Sequence, residues 1–207
     1  KGDHTTVYAF FRSLRPIIER MEPDRVSFVL EGYPKWRYEL LPDYKGNRKH
    51  HDKDNFRAQR KKIISLIKDF MPIHVLRHPD YECDDVIANL VWSSPDDMCT
   101  IVSSDTDFMQ LSSLENVRIF NPIKKSFFKP VDYDYVSWKA LRGDGSDNIP
   151  GFKGIGDKRA MALLENSQNL SDFLSKDNNK ELYDKNVELI SLKKIPDLRN
   201  LTDLKIV

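Results

Sequence analysis

Only two cysteines, Cys83 and Cys99, occur among the 207 residues, which excludes a disulfide framework and a zinc site built on cysteines. No apolar stretch approaches the roughly 18 residues of a membrane span, and Lys1-Gly2-Asp3-His4 begins no signal peptide. A soluble protein in a reducing, cytoplasmic setting, without a membrane partner, is expected. Hydrophobic residues make up 40% of the chain, enough to bury a core, so a disordered chain is excluded too. The most telling lack is local. From Asp80 to Asp107 there is no Lys or Arg, against the carboxylates Asp80, Glu82, Asp84, Asp85, Asp96, Asp97, Asp105 and Asp107.

Such an imbalance needs water or a cation. Two like charges about 4 Å apart repel by about 1 kcal/mol in water and about 4 kcal/mol at a protein-surface dielectric, so converging carboxylates favour protonation or bound divalent ions. Hard oxygen donors suit Mg²⁺ or Mn²⁺. The net charge of +1 hides a second segregation: Lys45 to Lys62 holds eight Lys/Arg against Asp52 and Asp54, a net +6. A run of this kind is either a solvated helix face or a surface for a phosphate backbone.

Val7, Phe10, Phe11, Leu14, Ile17 and Ile18 fall at helical spacing over 5–21, and RVSFVL (25–30) is a short apolar run that stops at Glu31-Gly32. The alternation repeats: helix over 56–70, strand over 72–76, helix over 84–92, strands over 98–104 and 117–120, then an expected extension through FFKPV. Strands separated by helical patterns predict an α/β fold with a parallel sheet covered on both faces. Glu31, Asp105 and Asp107 fall just past strand ends, where open α/β sheets place their sites. From about 143 the texture changes to turns and short helices, which sets an expected boundary between 1–142 and 143–207.

Taken singly, the motifs leave alternatives open. Asp105-Thr106-Asp107 after a strand suits haloacid-type phosphatases, glycosyltransferases of the DxD kind, or a plain helix cap. In YECDD (81–85), Glu82 and Asp85 share a helix face at i, i+3 with Asp84 beside them, but acidic residues also favour any helix N-terminus. GDGSDN (143–148) resembles a calcium-loop fragment or a capped turn. GFKGIGDKRA (151–160) can expose backbone N–H groups to a phosphate or simply join two helices; its pattern resembles a helix-hairpin-helix.

Together and in this order, YKGNR (44–48), YECDD, SSDTDF (103–108) and GDGSDNIPGFKGIGDKRA (143–160) resemble the 5′ nuclease family, the flap endonucleases and 5′-3′ exonucleases of phages and of bacterial DNA polymerase I N-terminal domains. The resemblance covers nearly the whole chain. It implies a PIN-like sheet, a helical arch at about 44–62, and a helix-hairpin-helix at about 150–165 within the C-terminal helical region. It also implies two divalent ions, held by Glu31, Glu82, Asp84, Asp85, Asp105, Asp107, Asp144 and Asp147, that serve hydrolysis of DNA phosphodiesters in replication and repair. Lys45 and Arg48 would contact the reacting phosphate, Tyr44 would stack on a base, and Lys49 would begin the arch. Gly151, Gly154, Gly156, Lys158 and Arg159 would hold duplex backbone, with K⁺ at the hairpin. The expected partner is DNA with 5′ flaps, nicks, gaps or single-stranded 5′ ends, bound by a monomer, together with a DNA polymerase.

Two departures stand out. The family's early strand ends in Asp where this chain has Glu31, and the family's first-strand Asp has no counterpart, so a strand before Lys1 is expected to be missing. Both departures keep open a DNA-binding protein of the same fold with impaired cleavage. A phosphatase or glycosyltransferase is the other alternative, but neither explains YKGNR or the glycine hairpin.

Overall fold

A computed structural model describes residues 4–48, 53–176, 178–198 and 202–203. In chain order the elements are α1 (Thr5–Met21), β1 (Ser27–Leu30), α2 (Lys35–Leu40), α3 (Lys53–Phe70), β2 (His74–Arg77), α4 (Cys83–Trp92), β3 (Cys99–Val102), a 3-10 helix (Thr106–Leu111), β4 (Val117–Asn121), β5 (Ser126–Phe127), α5 (Tyr135–Arg142), α6 (Asp157–Leu164), α7 (Ser167–Leu174), α8 (Asn179–Ile190) and β6 (Thr202–Asp203). None of the described helices is long and apolar enough to cross a membrane. The expected helix–strand alternation is present, with the expected short helices after 143 and with α2 added by a segment whose period is too brief to read.

The chain divides into two compact units, the first made of 1–33, 49–87 and 195–207, the second of 34–48 and 88–194. In the first unit β1 pairs in parallel with β2, Ser27 opposite His74 through Leu30 opposite Arg77, and β6 adds a two-residue antiparallel edge. Leu30, Ile63, Ile67, Ile73 and Val75 form the buried core, against which Val7, Phe10, Phe11, Leu14 and Ile18 of α1 pack. This is the stripe expected from the helical spacing. Gln59 of α3 accepts from the Thr6 and Val7 N–H groups at 2.8 and 3.4 Å, so two of the orphan donors of the first turn of α1 are satisfied by a neighbouring helix.

Gly32 is required by close approach. A Cβ there would meet the carbonyl oxygens of His78 at 2.1 Å and Tyr81 at 2.2 Å. The loop leaving β1 can therefore pass against the loop that leads into α4, and Tyr33 N–H donates to Pro79 O at 2.8 Å.

In the second unit β3 pairs in parallel with β4, Cys99 opposite Val117 through Val102 opposite Phe120, and β5 returns antiparallel along β4. Of the expected FFKPV extension (127–131) only Phe127 lies in this short hairpin edge; the residues after it lie beyond the strand. Ala140, Ile149, Leu189, Ile190 and Tyr44 form one buried cluster, while Leu141, Ile155 and Ala160 form another under α5 and α6. Asp134 caps α5 by accepting from Ser137 N–H at 3.1 Å, and Asn166 caps α7.

Candidate metal centre

In the first unit, Glu31 follows β1, Glu82 immediately precedes α4, and Asp84 and Asp85 lie in its first turn. Glu82 is 4% exposed and Asp85 fully buried, so the face shared by residues 82 and 85 points inward. Glu31 Oε2 accepts from Cys83 N–H at 3.1 Å. The longer acidic side chain is therefore held at the positive end of α4, where a carboxylate is favoured. Cys83 Sγ lies 3.4 Å from Asp84 Oδ1. Burial first, then the Asp84 and Glu31 charges, push the Cys83 thiol far up, so it stays protonated.

In the second unit, Asp107, Asp144 and Asp147 each offer a carboxylate oxygen, all within 4.8 Å of one another. Asp107 comes from the first turn of the 3-10 helix. Asp144 and Asp147 come from a loop closed by an antiparallel bridge between Asp144 and Ile149, whose two hydrogen bonds are both 2.9 Å. Asp105 stands apart from the three: its Oδ1 accepts from Asp107 N–H at 2.9 Å, an N-cap that fixes where Asp107 begins its turn.

Lys139 of α5, 5% exposed, was not singled out by sequence. Its ammonium is ion-paired with Asp107 and lies 2.6 Å from Asp144. Burial disfavours its charge, but Asp107 and Asp144 outweigh that and hold the pKa above the ordinary lysine value, so it stays charged. Asp107 is pushed up by burial, against the pull of Lys139, with Asp105 and Asp144 adding to the rise. Burial also acts upward on Asp144, yet hydrogen bonds from Lys139 and Ser146 hold it below the usual carboxylate range. Tyr135 donates to Thr106 Oγ1 at 2.9 Å and is pushed up to about 12, chiefly by burial. Tyr135 and Lys139 are one turn apart on α5, which was the only sequence sign of a shared face.

The YKGNR turn lies against this loop. Tyr44 is 3% exposed, its ring edge-on to Tyr38 and its hydroxyl donating to Asp147 Oδ2 at 3.0 Å. In this conformation the ring is core, without an open face for a base, because its hydroxyl is drawn inward by a buried carboxylate. Arg48 Nη2 lies 2.5 Å from Asp147 Oδ1, and Lys45 Nζ 3.8 Å from Oδ2. Lys49 lies outside the described residues, as do 50–52; of the expected arch, 53–62 form the first part of α3, largely exposed.

In the glycine hairpin, Gly151 serves packing, since a Cβ there would lie 2.0 Å from Arg142 O. Gly154 adopts φ +77, and its carbonyl accepts from Arg159 Nη1 at 3.2 Å. Gly156, at the N-cap of α6, has open space where a side chain would stand. Lys158 and Arg159 are exposed.

The donor set fits a divalent ion: three hard oxygen ligands converge, with Lys139 paired to Asp107 and Asp144 and with Arg48 and Lys45 paired to Asp147. Comparison with known proteins agrees with this chemistry. The model of the 5′-3′ exonuclease N-terminal resolvase-like domain matches residues 1–139, and that of the 5′-3′ exonuclease C-terminal SAM fold matches 132–205. The chain belongs to the 5′-3′ exonuclease family.

This family member is 29% identical to a 5′-3′ exonuclease of Mycoplasmopsis pulmonis over 98% of its own length and 74% of the relative's. It is 34% identical to DNA polymerase I of Streptococcus pneumoniae R6, over 79% of its own length, and spans only 20% of that relative. A structure of bacteriophage T5 flap endonuclease, a pseudo-enzyme–product complex with DNA and metal ions, matches with TM-score 0.75 at 23% identity, covering 89% of this chain and 80% of that one. That likeness establishes the shared fold.

Proposed function

We propose that this chain hydrolyses DNA phosphodiesters as a structure-specific 5′-3′ exonuclease and 5′-flap endonuclease, using two divalent ions, Mg²⁺ or Mn²⁺. The observation that carries this reading is the convergence of Asp107, Asp144 and Asp147 with Lys45 and Arg48 paired to Asp147. Glu31, Glu82, Asp84, Asp85 and Asp105 complete the proposed ligand set. Divalent ions in such a site activate water and stabilise the charge of an in-line displacement.

The chain's own groups do the rest. Lys45 and Arg48 receive the scissile phosphate and offset its negative charge. Lys139 draws Asp107 and Asp144 toward their charged forms and holds them close. The exposed basic start of α3, with Lys49, serves as the arch under which a single-stranded 5′ end passes. Gly154, Gly156, Lys158 and Arg159 hold the downstream duplex by its backbone, with Gly151 shaping the turn and K⁺ as the expected hairpin ion, so recognition follows junction shape rather than base identity. In this scheme 1–142 is the nuclease core and 143–207 the helical duplex-binding region, a division supported by the two family matches. The proposed setting is cytoplasmic DNA replication and repair by a monomer that works beside a DNA polymerase.

The deciding experiment is cleavage of a 5′-labelled flap duplex with Mg²⁺, Mn²⁺ or chelator, paired with binding in Ca²⁺. Metal-dependent release of short 5′ products is expected. Binding without cleavage in any metal would leave a DNA-binding protein of the same fold in its place.

A further inference from the structure

Two segments far apart in sequence are stitched together at Asp147. From one side come residues 43–48, from the other residues 144–148. The carboxylate accepts from the Tyr44 hydroxyl at 3.0 Å and from Arg48 Nη2 at 2.5 Å, with Lys45 Nζ at 3.8 Å. One backbone bond joins the loops, from Lys45 N–H to Asp147 O at 2.9 Å, and three side chains reach backbone carbonyls across the joint: Arg48 Nε to Ser146 O at 3.5 Å, Asn47 Nδ2 to Gly145 O at 2.5 Å, and Asn148 Nδ2 to Asp43 O at 2.8 Å. Lys45 and Asn148 both hold left-handed backbone, at φ 55 and φ 60. Non-glycine residues keep that conformation only when their surroundings over-determine it, and such strain collects at functional sites.

We propose that the 43–48 turn is a latch on Asp147, in which Arg48 and a divalent ion compete for one carboxylate, and that Tyr44 is the positioning residue that holds this carboxylate in place for either. This rests on the reading of Asp107, Asp144 and Asp147 as metal ligands. Without an ion, Arg48 and Lys45 neutralise Asp147 and point at protein. Once the carboxylate serves an ion, the guanidinium meets a like charge where it had a partner, and it turns outward to the phosphate. Loading of the metal position and deployment of the phosphate contacts thereby become one event. The Lys45 N–H to Asp147 O bond and the Asn47 and Asn148 amide bonds to the opposite backbone keep the turn attached while the Arg48 side chain leaves Asp147 and Ser146 O. Competition of this kind is reciprocal: what weakens the Arg48 contact strengthens the ion, and the converse.

The test is Mn²⁺ binding to the metal-free chain without DNA, followed by paramagnetic resonance of free Mn²⁺, for the unaltered protein, Arg48→Ala and Tyr44→Phe, with melting curves to confirm that each is folded. Arg48→Ala is expected to bind Mn²⁺ at least about fivefold more tightly, because a competing cation has been removed. Tyr44→Phe, which leaves Arg48 in place but frees the carboxylate, is expected to bind more weakly. The opposite signs separate a latch from general loosening. In the unaltered protein, addition of Mg²⁺ is expected to shift the Arg48 Nε–H resonance. If the unaltered protein binds Mn²⁺ and Arg48→Ala binds it equally or less tightly, the latch is overturned while the metal reading stands. If the unaltered protein binds no Mn²⁺, both fall.

Discussion

Lys139 Nζ stands 2.6 Å from Asp144 and is also paired with Asp107, two carboxylates from separate parts of the chain held by one nearly buried cation. Removal of one partner from such a group leaves buried charge uncompensated, at about 3–5 kcal/mol. Lys139→Met is therefore expected to lower the melting temperature in chelator by roughly 10 °C, and Mg²⁺ or Mn²⁺ should restore part of the loss. Equal melting temperatures in chelator would show that Lys139 does not hold the two carboxylates.

Asp107 and Asp144 respond to pH with opposite signs. The folded pKa of Asp144 is depressed below 3.8, so its contribution is present above 3.8 and lost as the pH falls through the folded value. The folded pKa of Asp107 lies above 3.8, so the folded chain binds the extra proton, and stability falls as the pH rises through that value. In chelator, Asp107→Asn should gain melting temperature relative to the unaltered protein as the pH rises from 3.8 toward neutrality, and divalent ions should reverse the ranking. A difference that stays flat with pH would remove the crowding assigned to Asp107.

For catalysis, Asp84→Asn and Asp107→Asn each remove an ionic ligand from the proposed centre without changing side-chain size. Loss of the several kcal/mol that a metal supplies corresponds to a fall in cleavage rate of roughly a thousandfold, while flap-DNA binding in Ca²⁺ changes little. Normal turnover by either variant would contradict its assignment as a ligand.

The glycine hairpin yields a paired contrast. Gly151→Ala forces a Cβ against the Arg142 carbonyl and should cost about 1–3 kcal/mol of stability. Gly156→Ala meets no such obstacle, so it should melt near the unaltered protein yet bind duplex more weakly. Lys158→Ala with Arg159→Ala should reduce the salt slope of duplex binding by about 2; an unchanged slope would take the hairpin out of the interface.

How much of this was legible beforehand depends on the range of the interactions. The helix over 5–21 and the strands at 27–30, 74–77, 99–102 and 117–121 follow from local periodicity, because side-chain spacing alone decides which face can be buried. The acidic runs at 82–85 and 105–107 announce themselves by charge without a counter-charge, and the 144–147 turn by two carboxylates three apart in a Gly-rich segment. Lys139 does not, because a single lysine on an amphipathic helix looks solvated until α5 is packed. Nor does the pairing of Tyr44, Lys45 and Arg48 with Asp147, which joins residues about a hundred positions apart. Sequence determined the composition of the site and its family. Tertiary structure alone decided which charges neutralise which, because a carboxylate's partner is chosen by distance and burial, and neither is written in the order of the residues.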